Sequence, residues 1–189
     1  MKKGLALFML ITALAALTIT PVFAHTQEAP MKKTFNAGSP HYYGEPGPKD
    51  PDWYYDHLTK VGEVQVWNDG TNLHITYDTN TWEVSGWTLM ETHLAIADDF
   101  EGIPQTHSGN PKVGKFPYKH EDLGGVELDE YVIPLTDLGL TVGDQIVIAA
   151  HGVVMGPCGQ EETAWADCGG PDAFFPGGNW ATFFTYVIQ

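Results

Sequence analysis

Two histidines on apolar runs are the residues of this chain best suited to chemistry. His151 lies in QIVIAAHGVV (145–154), and His93 lies in GWTLMETHLAIA (86–97), two positions after Glu91. In an extended chain positions i and i+2 share a face, so Glu91 and His93 point the same way. If the two runs are neighbouring strands, Glu91, His93 and His151 meet, and Glu161 or Glu162, in the turn that follows, can join them. Two histidines and a carboxylate suit zinc or iron. The same groups equally suit a buried hydrogen-bond network that fixes strand register, since buried polar groups need partners either way.

Other residue sets offer ligands of a different kind. Asp98, Asp99 and Glu101 cluster in one loop and Asp50, Asp52 and Asp56 in another. Calcium takes several oxygens at flexible geometry, but neither cluster has the spacing of a recognised calcium loop, and solvated loop charge is the simpler expectation. Tyr42, Tyr43, Trp53, Tyr54 and Tyr55 could stack on sugar rings or pack on the domain, because flat apolar faces suit both. Cys158 and Cys168 are the two cysteines. In an exported chain an even pair reads as a disulfide, here closing a short loop worth about 2–3 kcal/mol. No nucleotide-binding glycine pattern, nucleophile elbow, zinc-binding cysteine cluster or EF-hand loop occurs, and no nucleophile–base set stands out.

The first residues set the expected destination. A lysine pair, the apolar run Gly4 to Ile19, and Val22-Phe23-Ala24 form a secretory signal peptide over 1–24. The run is short for a membrane span, which needs about 20 residues, and the later sequence holds no candidate. A secreted, periplasmic or extracellular protein is expected. If cleavage follows Ala24, His25 becomes the first residue. Its free amine and imidazole could then chelate copper, with His41, His57, His107 or His120 as second ligand. In this it resembles copper oxygenases acting on polysaccharides and some periplasmic copper carriers at their first residue.

The chain carries a formal charge of −15, and losing Lys2 and Lys3 brings it to −17. There is no arginine, so the basic face that nucleic acid requires is missing. The acidity reads first as solubility.

Residues 25–60 are rich in Pro, Gly and aromatic rings, and prolines 40, 46, 48 and 51 forbid a regular helix or central strand there. This stretch reads as an extended arm, followed by a domain over 61–189. From Val61 the period is two. VGEVQVW and LHITYDT flank the turn NDG and predict a β-hairpin with one wet face. Residues 86–97 predict a third strand, with Met90, Leu94 and Ile96 on one face and Trp87, Leu89, Glu91, His93 and Ala95 on the other. Residues 98–125 read as a long loop with one short strand, and VELDEYVIP as a strand ended by Pro134. DQIVIAAHGVVM (144–155) and NWATFFTYVI (179–188) are apolar on both faces, as strands covered above and below would be. These elements predict an all-β, antiparallel β-sandwich, immunoglobulin- or jelly-roll-like, in a single domain. A closed barrel is the alternative.

Four stretches taken together, GWTLMETHLAIA, GNPKVGKFPY, IAAHGVV followed by ETAWADCGG, and GGNWATFFTY, resemble a β-rich module of exported and cell-surface prokaryotic proteins over about residues 60–189. The resemblance implies location and fold class rather than an activity. A non-catalytic binding or structural module is therefore expected, with an extracellular glycan or a surface protein as partner. Self-assembly is expected if one doubly apolar strand is left uncovered.

Overall fold

The computed structural model describes residues 30–37, 58–81, 83–84, 86–167, 174–177 and 180–189. Among these residues nine strands form one antiparallel sheet: β1 Met31–Ala37, β2 Thr59–Asn68, β3 Asn72–Asp78, β4 Thr88–Ala97, β5 Tyr118–His120, β6 Leu128–Pro134, β7 Gln145–Met155, β8 Glu161–Asp167 and β9 Phe184–Val187. The spatial order is β5-β4-β7-β8-β1-β2-β3-β6, with β9 beside β7. The sheet curls into a half-barrel of one domain, so its two halves face each other as sandwich layers do. Tyr77 on β3 shows the closeness of the halves, because its hydroxyl donates to the His93 carbonyl of β4 at 3.0 Å.

The β2–β3 hairpin forms as its sequence dictates. Val64, Val66, Leu73, Ile75 and Tyr77 are buried, while the alternate residues are only partly covered. The Asp69 carboxylate closes the turn by accepting from the Thr71 and Asn72 amides at 2.8 and 2.7 Å. Those bonds favour its charged form and hold its pKa far below the usual carboxylate value. Pro134 ends β6, and one helical turn follows, α1 Leu135–Leu138. Gly139, at φ +68°, stops that turn in the left-handed conformation favourable to glycine.

β7 is covered on both faces, as its composition requires. Ile146, Ile148, Ala150 and Val154 enter the main core inside the curl. Val147 and Ala149 enter a second cluster outside it, with Ala95, Ile103, Phe116 and Trp165. The 98–117 segment and the chain around Phe175 and Ala181 roof this outer cluster. β7 therefore needs no second subunit to cover it.

Several elements differ from expectation. The 25–60 stretch contains a strand, β1, inserted between β2 and β8. Phe35 and Ala37 are buried, and the prolines that argue against structure lie outside Met31–Ala37. ETAW is not a turn but the heart of β8; the turn is at 156–160. The closing strand is shorter and one-sided: Phe184 and Tyr186 are buried, whereas Thr185 and Val187 are exposed. The face assignment in β4 also changes. A bulge between Leu89 and Glu91 inserts one residue and reverses the parity, so Leu89 joins Leu94 inside while His93 and Ala95 face out.

Candidate functional site

The sheet register brings the two histidines together. His93 lies directly opposite His151 on β4 and β7. The same rung continues to Lys119 on β5, and through Trp165 on β8 to Asn36 on β1. Five strands thus place Lys119, His93, His151, Trp165 and Asn36 in one line across the outer face. The His93 and His151 Nδ1 atoms are 3.4 Å apart. The edge of one ring, His151 or Trp165, meets the face of the other at 4.7 Å between centroids.

The aromatic roof controls the electrostatics. Trp165 packs against Phe116 and Phe175, and Phe100 and Phe183 extend the cover. Water is excluded from His151, and burial, together with the neighbouring His93, lowers its pKa to about 3. Burial also lowers the pKa of His93, opposed by Glu91 and Glu121 and assisted by Lys119. Both rings are therefore neutral at pH 7. His93 Nε2 faces Glu91 at 3.7 Å and Glu121 at 4.0 Å. Two carboxylates favour the proton on that nitrogen, so His93 Nδ1 is left as the acceptor for an Nδ1–H of His151.

Of the expected metal set, the structure gathers Glu91, His93 and His151. Glu162 stands apart, opposite Val154 on β7, three residues along from His151 and so about 10 Å away along the strand. Among the described residues no group of three His, Cys, Asp or Glu side chains is arranged to hold a metal ion. In the Asp98, Asp99 and Glu101 loop, Asp99 accepts from the Gly102 amide at 2.9 Å and caps a short 3₁₀ turn, which gives that carboxylate a structural task. His107 is exposed, and His120 bonds Asp129. His25, His41, Tyr42, Tyr43, Asp50, Asp52, Trp53, Tyr54, Tyr55, Asp56, His57 and Cys168 lie outside the described residues. Cys158 is exposed.

The sequence gives no hint of Lys119 and Glu121, because β5 is three residues long and follows a loop. A second polar cluster was equally hidden. Tyr131 on β6 donates to the Thr92 carbonyl at 3.0 Å and meets the Thr92 hydroxyl at 2.8 Å. That hydroxyl also reaches Asp129 at 2.5 Å, and His120 Nδ1 lies 2.9 Å from the same carboxylate. These bonds join β4 and β5 to β6 where the two ends of the curled sheet meet. Burial pushes the Tyr131 phenol up to about 12, so it stays a donor. Tyr131→Phe is expected to cost about 1–2 kcal/mol in urea unfolding; a loss under 0.5 kcal/mol would show that the seam is not holding the curl.

Comparison with protein-family models, with curated proteins and with solved structures found no match. The motif stretches nevertheless converge in space. ETHL lies on β4, AAH on β7 and ETAW on β8, with Phe116 of the GNP…FPY segment and Ala181 and Phe183 of the closing segment packed over them. Much of what the motifs share is the outer layer around the histidine rung.

Proposed function

We propose that this chain is an exported, non-catalytic module with a binding or structural role at the cell surface or outside the cell. The observation that carries this reading is the rung itself. Its histidines are neutral, face each other through Nδ1, and are wedged beside Trp165 in a layer that five strands build together. Such a network fixes register, and a register slip by one residue would turn every side chain to the wrong face. The leader-like first residues, the acidity and the resemblance to surface modules support the location. The expected Cys158–Cys168 staple is not part of this reading: Cys158 is in the turn before β8 and Cys168 follows its last residue, so the extended strand sets them about 20 Å apart, beyond the limit of about 7 Å that a disulfide allows between Cα atoms.

The test uses the cleaved precursor, purified with no tag at its first residue. Elemental analysis after incubation with copper, zinc and calcium is expected to find no stoichiometric metal. A metal lost in His93→Ala or His151→Ala would replace this reading with a metal centre on the rung. A metal lost only in His25→Ala would place a copper site at the first residue.

A further inference from the structure

The two ends of the curled sheet meet through side chains, and Val126 just before β6 bridges Leu89 of β4, but beyond that bridge the outer backbone edge of β6 itself is built to take another strand. β6 is last in the sheet order, and among the described residues only β3 pairs with it. Its hydrogen-bond parity is fixed at both ends. The Thr79 amide donates to the Glu127 carbonyl and the Leu135 amide to the Thr71 carbonyl, each at 2.9 Å. Odd-numbered residues of β6 therefore bond β3, and the backbone groups of Leu128, Glu130 and Val132 point away from the sheet. A groove of about 250 Å³ runs along this edge towards β5. Its floor is aromatic: Tyr118 and His120 lie opposite Leu94 and Thr92 and so face inward, and the His120 ring stacks on Tyr131 at 4.4 Å. Beside the edge, Leu128 and Val132 are 58% and 52% exposed, unusual for large apolar side chains on a strand.

The geometry points to β-strand addition: β6 receives an extended segment of a partner protein, whose outward side chains run apolar, basic, apolar and whose inward side chains are small. Main-chain bonds to Leu128, Glu130 and Val132 would supply affinity, and the side-chain pattern specificity. Leu128 and Val132 call for apolar neighbours. Glu130 between them, which contacts His74 Nδ1 at 3.1 Å, and Asp137 at the end of the groove make the edge acidic, which calls for a cation. The aromatic floor leaves room only for small residues beneath. A second copy of β6 does not fit the same edge, because antiparallel pairing about Glu130 would set one Glu130 against the other, and like charges directly opposite are unfavourable. Free edges of this kind invite pairing unless they are covered. This inference rests on the reading of the domain as a binding module and adds its surface and partner chemistry.

The probe is a blocked peptide of sequence Ser-Val-Ala-Lys-Ala-Val-Ser, titrated into the ¹⁵N-labelled mature protein. Amide shifts are expected at Leu128, Glu130 and Val132 and at β5, with affinity falling about tenfold in Glu130→Lys. A peptide N-methylated at the amides that would face β6 is expected not to bind, a control that leaves the protein untouched. No shifts at millimolar peptide, or equal binding of the methylated peptide, would overturn strand addition. Shifts confined to another surface would overturn this edge while leaving the binding-module reading intact. Concentration-dependent dimerisation that shifts the same amides without peptide would assign the edge to a second copy instead.

Discussion

Lowering the pH from 8 to 5 is expected to cost this fold about 2 kcal/mol through His151 alone. Its folded pKa is about 3 against an ordinary 6.5, so between those values the unfolded chain binds a proton that the folded chain refuses. Stability therefore rises with pH across that window. It is complete above about 6.5 and is lost progressively as pH falls towards 3, by roughly 4–5 kcal/mol in all. His93 shifts in the same direction and adds to the loss. Carboxylates protonate over the same range, so the informative comparison is with His151→Leu. Leucine is apolar and of similar bulk, and the partner it abandons, His93, sits at the edge of the layer beside Glu91 and Glu121. At pH 8 the variant is expected to lie within about 1 kcal/mol of the parent. At pH 5 it is expected to be the more stable of the two. Urea unfolding of both proteins at matched pH checks this, and parallel pH profiles would show that His151 is not held neutral by burial.

The second large effect comes from a position with no side chain. A Cβ on Gly62 would lie 2.2 Å from the Asp78 carbonyl oxygen and 3.0 Å from Thr79 Cα. These are backbone atoms of the neighbouring strand, which cannot rotate aside, and Gly62 itself is opposite Phe35 of β1 next to the irregularity in that pairing. Gly62→Ala must push β2 from β3 or bend both. A loss of about 3 kcal/mol or more is expected, at the upper end for overpacking. Gly114→Ala is the matched control, because nothing lies within 4 Å of its added Cβ, and it is expected to change stability by less than about 0.5 kcal/mol. Thermal melts of the two variants decide the point, and equal melting temperatures would contradict the tight β2–β3 approach.

Much of the fold was legible where a strand obeys its own period. The β2–β3 hairpin, β6 and the doubly covered β7 follow from alternation and turn residues. β1 was not legible, because Lys32 and Lys33 interrupt a short run that becomes a strand only when β2 and β8 flank it. β4 was legible as a strand but not in its faces, since the bulge at Met90 exists only in its pairing with β7. The meeting of His93 with His151 followed from Glu91–His93 spacing and two neighbouring strands. Glu162 failed to join them because β8 runs antiparallel to β7 and carries its start away from His151, bringing Trp165 to that rung instead. The seam of Thr92, Asp129, His120 and Tyr131 is a product of curling, which no local pattern encodes.

We propose that His93 and His151 are neutral scaffold partners rather than ligands. The most direct measurement is a long-range ¹H–¹⁵N correlation spectrum of the histidine rings at pH 7, recorded before and after equimolar zinc and then copper(I). An Nε2–H tautomer for His93 and an Nδ1–H tautomer for His151 are expected, both unchanged by either metal. A metal-induced shift at the two Nδ1 atoms, with loss of the His151 Nδ1 proton, would contradict it and make the rung a binding site.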